Sequence, residues 1–281
     1  MDPKQPSLTA LGAAAYRAAH QVLDAGDIFH DPMALAILGP EAEVMVARIS
    51  ASSGSGRLRN FMAARSRYAE DCFDAAVARG VRQIVVLGAG FDTFALRNPY
   101  VHLGVRVFEV DHPATQAWKR QRLAELGLGP PRPIDFVAVD FETGSLAEGL
   151  AASDFDAARQ AFFLWLGVVP YLKRSAIDAT LEFISGLAQS EVVFDYSEPL
   201  GSFTAKHRAE VSELEARAAS LGEPWLTHFK PGDIKRKLAA CGFGEQEDLG
   251  VPEIAQRYPS ASTQAGASGA GPHVIHARRV D

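Results

Sequence analysis

A glycine-rich segment directly follows a short apolar run that is rich in β-branched side chains. The apolar run is residues 83–87 (QIVVL) and the glycine-rich segment is residues 88–93 (GAGFDT). Gly88 and Gly90 tolerate a tight turn and let a ligand approach the backbone closely. Because open α/β sheets bind ligands beyond the carboxyl ends of their parallel strands, this segment predicts a ligand-binding loop. The alternative is a glycine turn that binds no ligand.

The side chains of this loop discriminate between two classes of cofactor. A dinucleotide site has a third glycine in the pattern G-x-G-x-x-G, and Thr93 stands at that position here. Asp92 would place a negative charge near a pyrophosphate, which is unfavourable. S-adenosylmethionine has no phosphate and presents a sulfonium and an ammonium, so Asp92 is compatible with it or useful to it. The loop therefore favours S-adenosylmethionine over a nicotinamide dinucleotide.

Acidic residues also follow two later apolar runs. Asp111 comes 21 positions after Gly90 (111 − 90), directly after the run 105–110. An acidic residue about 20 positions after the glycine loop can accept hydrogen bonds from ribose hydroxyls. Its alternative role, as a helix N-cap, is compatible with the first. Asp140 and Phe141 come after the run 134–139, where the carboxylate could bind the adenine amino group with Phe141 beside the ring.

A parallel sheet is needed to bring these residues together. Apolar runs that alternate with helical segments are typical of a doubly wound, mostly parallel sheet. Two later strands, expected as a terminal hairpin, would give this sheet an antiparallel C-terminal edge and bring it to seven strands. The predicted strands are 83–87, 105–110, 134–139, 161–166, 191–195, about 243–249 and about 273–280, and the helices between the first five are about 112–127, 144–152 and 173–188.

Helical patterns dominate the chain before the first strand and return after the fifth. We expect a helical cap over residues 1–80, packed on a core over residues 81–281 that contains a helical insert near 200–225. Within the cap, residues 50–56 (SASSGSG) predict a flexible connection. The predicted helices are 7–23, one that starts at 31–32 with Pro32 at its first position, 58–79, 203–221 and 231–241, and residues 260–271 are expected to be a loop.

Composition excludes several classes of partner. The chain has 281 residues and a formal net charge of −6, so it has no general attraction for nucleic acid. Cys72 and Cys241 lie in no zinc-ligand pattern and predict no metal site. The polar N-terminus does not resemble a signal peptide, and no apolar run reaches the roughly 18 residues of a membrane span. We therefore expect a cytoplasmic protein with a small-molecule partner.

Several motifs in the same order resemble the leucine carboxyl methyltransferase family, which includes protein phosphatase methyltransferases and bacterial O-methyltransferases of secondary metabolism. The resemblance covers residues 7–200 and more loosely the rest. It implies a Rossmann-like class I methyltransferase fold with S-adenosylmethionine as cofactor. The matching segments are 29–32 (FHDP), 64–68 (ARSRY), 87–93 (LGAGFDT), 108–113 (FEVDHP), 139–140 (VD) and 163–172 (FLWLGVVPYL).

The resemblance also implies roles for individual residues. Arg65 resembles the arginine that pairs with the cofactor's carboxylate, which a guanidinium fits well. Arg17 corresponds to a second basic residue near that group. The other cofactor-binding residues that the resemblance implies are Gly88 and Gly90 for the loop, Asp111 for the ribose, and Asp140 with Phe141 for adenine.

One position departs from the family pattern. The family usually has a glutamate after the aromatic residue of the fourth strand, beside the cofactor's amino-acid end, and this chain has Leu166. The change removes an anionic contact to the cofactor's ammonium. Three consequences stay open: weaker binding, compensation by Asp92 or a backbone carbonyl, or a non-catalytic role.

The sequence predicts an O-methyltransferase that acts on a carboxylate or hydroxyl of a small metabolite. A carboxylate acceptor needs no general base, whereas a hydroxyl does. Tyr171, Tyr196 and His228 are the candidates for lining the acceptor pocket, each with core packing or a surface position as its alternative. Methylation of a protein C-terminus and a non-catalytic cofactor-binding role are the alternative functions, and the sequence leaves oligomeric state open.

Overall fold

A single seven-stranded sheet organises the described part of the chain. The computed structural model describes residues 6–52, 54–128, 133–141, 143–260 and 269–280. Along the sheet, the strands follow the order β3-β2-β1-β4-β5-β7-β6. Their bounds are β1 (Gln83–Leu87), β2 (Arg106–Asp111), β3 (Asp135–Ala138), β4 (Phe162–Trp165), β5 (Glu191–Ser197), β6 (Glu245–Leu249) and β7 (Pro272–Arg278).

Strand direction gives the sheet a single carboxyl edge over most of its width. The first five strands run parallel, so β1, β2, β3, β4 and β5 all end on the same side. β7 pairs antiparallel with both β5 and β6. The predicted doubly wound sheet with an antiparallel C-terminal part is confirmed. β6 and β7 pair antiparallel, as expected for the terminal hairpin, and a helix lies between them in the sequence.

Eleven α-helices lie around this sheet in the described residues. Four precede the first strand, which agrees with the helical character predicted for that region. Their bounds are α1 (Leu8–Leu23), α2 (Ala34–Leu38), α3 (Ala42–Ala51), α4 (Ser55–Ala78), α5 (Phe94–Arg97), α6 (Pro113–Glu125), α7 (Leu146–Ala151), α8 (Arg174–Ser185), α9 (Ala205–Ser220), α10 (Pro231–Ala240) and α11 (Val251–Arg257).

Helices cover both faces of the central strands, which explains their continuous apolar sequences. On β1, Val85 faces a cluster that includes Ile177 of α8. Its neighbour Val86 faces a cluster that includes Phe73 of α4. Successive side chains of a strand point to opposite faces, so a strand covered on both sides has no polar face. Full burial of such a side chain contributes about 1.5–3 kcal/mol.

A third apolar cluster joins the N-terminal helices to the loop after β1. It contains alanines of α1, Ile37 of α2 and Val46 of α3, packed around Phe91 and Leu123. Phe91 also meets Trp118 of α6 edge to face, with ring centroids 4.8 Å apart. The N-terminal helices therefore lie directly against the glycine-rich loop.

Two local predictions were wrong at their boundaries, and one helix was missed. α2 begins at Ala34 rather than Pro32, because the Asp31 carboxylate accepts from Met33 N (3.0 Å) in a turn before the helix. The expected connection 50–56 is mostly helical, since α3 continues to Ala51 and α4 begins at Ser55. The helix α11 was not predicted at all.

The loop predicted at residues 260–271 lies largely outside the described residues, because 261–268 are not among them. Among the helices that are described, none combines the length and the apolar character that crossing a membrane requires.

Candidate functional site

The glycine loop after β1 has a backbone that only glycine adopts easily. Gly88 has φ +62° and Gly90 has φ +47°, in the left-handed region that disfavours side chains. A Cβ at Gly88 would lie 2.3 Å from Val168 Cγ2, and one at Gly90 would lie 3.0 Å from Ala10 Cβ. The loop is therefore enclosed by α1 on one side and by the segment after β4 on the other.

Asp111, at the end of β2, is bound to this loop. Its carboxylate accepts hydrogen bonds from Gly90 N and from His112 N. Burial raises the pKa of Asp111, and these two N–H donors oppose that shift. The N-cap of α6 is His112, whose Nδ1 accepts from Ala114 N (3.2 Å), so Asp111 is not needed as a cap. The carboxylate therefore links the end of β2 to the glycine loop.

A buried polar network supports the loop from behind. Asp31 is 1% exposed and accepts a hydrogen bond from Thr93 Oγ1 (2.7 Å). Arg17 Nη2 donates to Phe91 O (2.6 Å), and Arg17 Nε lies 3.6 Å from Asp31 Oδ2. Arg97 Nε lies 3.3 Å from the other Asp31 oxygen. The structure thus places Arg17 beside the loop, where it binds the chain itself.

Asp92 is also engaged within the loop. Its Oδ1 accepts from Phe94 N (2.7 Å), which fixes the start of α5. The residue in the position of a third glycine, Thr93, is completely buried and donates to Asp31. The FHDP and GAGFDT motifs are therefore two halves of one network, a relation that neither motif reveals alone.

Arg65 projects from α4 to the ends of β4 and β5. It forms a buried ion pair with Asp195 of β5, and Asp195 also accepts from Gly167 N. Gly167 has φ +72°, and a Cβ there would lie 3.1 Å from Arg65 Nη2. The Arg65 Nε is buried and has no hydrogen-bond partner among the described residues. Sequence reasoning missed Asp195, because an aspartate within an apolar strand carries no motif.

Leu166, where the family pattern has a glutamate, directly precedes Gly167, whose backbone N–H donates to Asp195. Its side chain is partly buried and packs against the apolar cluster shared by β1, β4 and α4. An ionised carboxylate in that position would need a polar partner to offset its desolvation. The leucine therefore suits its local surroundings, and the carboxylate nearby belongs to β5.

Asp140 and Phe141 lie just beyond β3, next to the end of β2. Val139 N donates to Asp111 O (2.9 Å), which holds the two strand ends together. Thr143 Oγ1 donates to Asp140 Oδ2 (3.0 Å) in a tight turn. Phe141 is partly buried against the core. The ends of β1, β2 and β3 thus bring the glycine loop, Asp111 and Asp140 to one edge.

The three acceptor-pocket candidates have different environments. Tyr196 is 1% exposed, donates to Asp248 Oδ2 (2.9 Å) and stacks on His273, so it is part of the core. Tyr171 meets Trp225 edge to face at 6.4 Å. Burial raises the pKa of Tyr171, and the neighbouring Trp225 and Thr9 side chains and the charge of Arg65 oppose that shift.

His228 lies in a segment, residues 225–229, that crosses the carboxyl edge. Thr227 N donates to Pro170 O (3.1 Å), and Phe229 N donates to Ser197 O (3.1 Å). His228 Nε2 lies 2.8 Å from Glu215 Oε1 of α9. The imidazole is therefore held between the segment and α9.

α9 covers the same edge from above. Arg57, in the first turn of α4, pairs with Glu210 and lies 2.8 Å from His207 Nε2. Thr9 N of α1 donates to Glu223 Oε2 (2.9 Å) just after α9. These contacts connect the insert to α4 and α1.

A cavity of about 280 Å³ lies at the opposite edge of the sheet, where the parallel strands begin. Val105, Arg106 and Asp135 line it, near the amino ends of β2 and β3. Its position separates it from the chemistry-bearing residues, which all lie at the carboxyl edge.

Comparison with known proteins finds a family match and close sequence relatives. The family model described as leucine carboxyl methyltransferase matches residues 10–185. A Bacillus subtilis protein, provisionally named S-adenosyl-L-methionine-dependent methyltransferase YktD, is 34% identical over 68% of this chain and 63% of its own length. A Mycolicibacterium paratuberculosis protein with the same provisional name is 32% identical over 70% of this chain. The second match covers 60% of the Mycolicibacterium protein. This chain therefore matches less than two thirds of the length of either relative.

Solved structures share the fold at much lower identity. A Thermobifida fusca protein, provisionally described as a methyltransferase, has a TM-score of 0.59 at 17% identity and covers 99% of this chain and 97% of its own. A DUF574 family protein from Streptomyces avermitilis has a TM-score of 0.57 at 14% identity, covering 95% and 97%. These likenesses confirm the predicted fold class.

Proposed function

Because this chain belongs to the leucine carboxyl methyltransferase family, we propose that it is an S-adenosylmethionine-dependent O-methyltransferase. The proposed acceptor is a carboxylate or hydroxyl oxygen of a small metabolite. The names of the sequence relatives support the cofactor and the transfer of a methyl group. The observation that carries the proposal is Asp111, which is bound to Gly90 N at the edge where β1, β2 and β3 end.

The described residues suit the polar parts of this cofactor. Asp111 would hold the ribose hydroxyls, because an ionised carboxylate that accepts one N–H on each oxygen retains further acceptor sites. Asp140 and Phe141 would hold adenine. Arg65 would bind the carboxylate of the amino-acid end, and its buried Nε without a partner is a donor that such a ligand satisfies.

When bound, the cofactor supplies a methyl group that its sulfonium already activates. The chain must therefore hold the acceptor oxygen in line, keep it close and exclude water. Tyr171 and residues 225–229 lie at the edge where this acceptor would bind, and α9 lies over them. The half-buried phenol, the aromatic ring of Trp225 and the cover formed by α9 favour a small acceptor that is partly apolar.

His228 is the proposed base for a hydroxyl acceptor. Glu215 Oε1 lies 2.8 Å from Nε2, which orients the ring and favours a proton on that nitrogen. Nδ1 is then the atom that would take the proton of the acceptor hydroxyl. A carboxylate acceptor is already ionised at neutral pH and would not use it.

Transfer of a labelled methyl group tests the proposal. We expect purified protein, supplied with methyl-labelled S-adenosylmethionine and a panel of carboxylic acids and phenols, to label a small acceptor. Mild base releases methanol from a methyl ester and leaves a methyl ether intact, so one treatment separates the two acceptor classes. Transfer of the labelled methyl group to the C-terminus of an added protein would favour the protein-methylating alternative. Cofactor binding without transfer to any acceptor would favour the non-catalytic one.

A matched pair of variants tests the base. His228→Gln should lower transfer to a hydroxyl about 100-fold, which is the range of general-base catalysis, and should leave transfer to a carboxylate within a few-fold. His112→Gln changes a histidine that caps α6, and should affect both acceptors equally. Equal loss on both acceptors in His228→Gln would contradict its role as base.

A further inference from the structure

The buried pair of Arg65 and Asp195 presents two opposite charges at the ends of neighbouring strands. Both side chains are less than one tenth exposed (7% and 8%). One Asp195 oxygen contacts Arg65 Nη1 and the other accepts from Gly167 N. The carboxylate is therefore fixed beside the residue that follows Leu166.

The amino-acid end of the proposed cofactor carries the complementary pair of charges, a carboxylate and an ammonium. We infer that Asp195 holds that ammonium, in place of the glutamate that Leu166 replaces in this chain. The inference rests on the proposed function and deepens it. Arg65 would keep its contact with Asp195 and bind the ligand's carboxylate through its unpartnered Nε, and Asp195 would bind the ammonium beside it. Each buried charge then keeps an opposite partner.

Other nearby carboxylates are committed to the fold. Asp92 accepts from Phe94 N, and Asp31 is surrounded by Thr93, Arg17 and Arg97. Asp195 differs because its only charged neighbour among the described ion pairs is Arg65, the residue proposed for the cofactor. This makes Asp195 the carboxylate that a ligand bound to Arg65 would meet.

The pair also leaves one buried donor without a partner among the described residues. Buried ion pairs compensate their desolvation only when the remaining polar atoms are satisfied as well. Arg65 Nε is buried without a partner, so its guanidinium retains a donor for a second anion. A ligand carboxylate supplies that acceptor, while Asp195 stays available for the cation next to it.

Two ligands isolate the contribution of the amino-acid end. S-adenosylhomocysteine has both charges, whereas 5′-methylthioadenosine keeps the nucleoside and lacks them. Asp195→Asn should weaken S-adenosylhomocysteine about 10- to 100-fold, the range of a charge-assisted hydrogen bond. It should change 5′-methylthioadenosine less than about threefold, and binding of that ligand shows that the variant is folded. Equal affinity of Asp195→Asn and the unmodified chain for S-adenosylhomocysteine would overturn the inference.

Leu166→Glu supplies a second and independent test. In the unmodified chain, it should change the affinity for S-adenosylhomocysteine by less than about threefold, because Asp195 already makes the contact. In the double variant with Asp195→Asn, Leu166→Glu should raise the affinity for S-adenosylhomocysteine about tenfold or more over Asp195→Asn alone. A tenfold gain in the unmodified chain would show that the ammonium lacks a carboxylate, and would overturn the inference even if Asp195→Asn did not fold.

The same calorimetric series separates this inference from the proposed function. If the unmodified chain binds neither ligand, the proposed function fails. If it binds both and Asp195→Asn loses nothing, only the assignment of Asp195 fails.

Discussion

At the scale of single residues, the most informative group outside the site is a carboxylate inside β2. Glu109 and Lys119 are each 1% exposed, and Lys119 Nζ lies 2.7 Å from Glu109 Oε2. The contact is short but lacks hydrogen-bond geometry. Burial raises the pKa of Glu109 to about 7, although Lys119 opposes the shift, and Asp92 and Asp111 add to it. The pair links α6 to the strand that ends at Asp111.

This pKa makes stability depend on pH in a defined direction. Between its ordinary value of 4.5 and about 7, Glu109 binds more protons in the folded chain than in the unfolded chain. Its contribution to stability is therefore complete below pH 4.5 and is lost as pH rises through 7. Glu109→Gln has no such titration. From pH 4.5 to about 7.5 the unmodified chain should lose this contribution and the variant should not. The free energy of unfolding of Glu109→Gln minus that of the unmodified chain should therefore rise by about 1–3 kcal/mol. Denaturant unfolding at several pH values measures this difference. The same pH dependence of the free energy of unfolding in both proteins would contradict the prediction.

Residue types alone predicted part of the site. Asp111 and the two loop glycines were singled out because their spacing after a buried strand is characteristic, and in the structure Gly90 N donates to Asp111. Thr93 was read only as a missing third glycine. Its hydrogen bond to Asp31 was not predictable, because the two residues are 62 positions apart and neither motif encodes the other.

At the scale of elements, the loop between β1 and α5 is constrained by its neighbours as well as by its own backbone. Ala10 of α1 and Val168 after β4 fill the space beside Gly90 and Gly88. The sequence predicted glycines for the approach of a ligand. In the structure, side chains of the fold itself also require glycine at both positions, because a Cβ would lie 2.3 Å from Val168 Cγ2 at Gly88 and 3.0 Å from Ala10 Cβ at Gly90.

Substitution of Gly88 should therefore lower the free energy of unfolding by more than its left-handed φ alone would. Gly88→Ala combines a left-handed φ with a Cβ 2.3 Å from Val168 Cγ2, and should lower the free energy of unfolding by about 2–4 kcal/mol. Gly104→Ala is the matched control, because Gly104 has φ +79° with nothing within 4 Å of its Cβ position. It should cost only about 1–2 kcal/mol. Equal losses in denaturant unfolding would show that Val168 yields without strain.

Most element boundaries could be predicted because burial on both faces leaves a continuous apolar run. β1 was predicted at 83–87 and is observed there, and α10 was predicted within one residue. The wrong prediction at residues 50–56 has a physical cause. Residues 50–56 are small and polar, yet α3 and α4 extend into them, since packing of Val46 and Phe61 stabilises helices whose ends have weak intrinsic propensity.

At the scale of the whole molecule, strand order determines what the sequence could reveal. β3, β2 and β1 are neighbours in the sheet, so residues at their ends could be grouped from a motif spacing. Arg65 and Asp195 are 130 positions apart and meet only because α4 lies across the ends of β4 and β5. Such a pair follows from the tertiary arrangement and has no local signal.

Calorimetric titration with S-adenosylhomocysteine tests the central claim, that this edge of the sheet is the cofactor site. We expect saturable binding to the unmodified chain and a loss of about 10- to 100-fold in Asp111→Ala, because ribose hydroxyls would lose a charged acceptor. Asp154→Ala, at the opposite edge and with a 76% exposed side chain, should bind like the unmodified chain. Binding of a nicotinamide dinucleotide in place of S-adenosylhomocysteine, or unchanged affinity in Asp111→Ala, would contradict the claim.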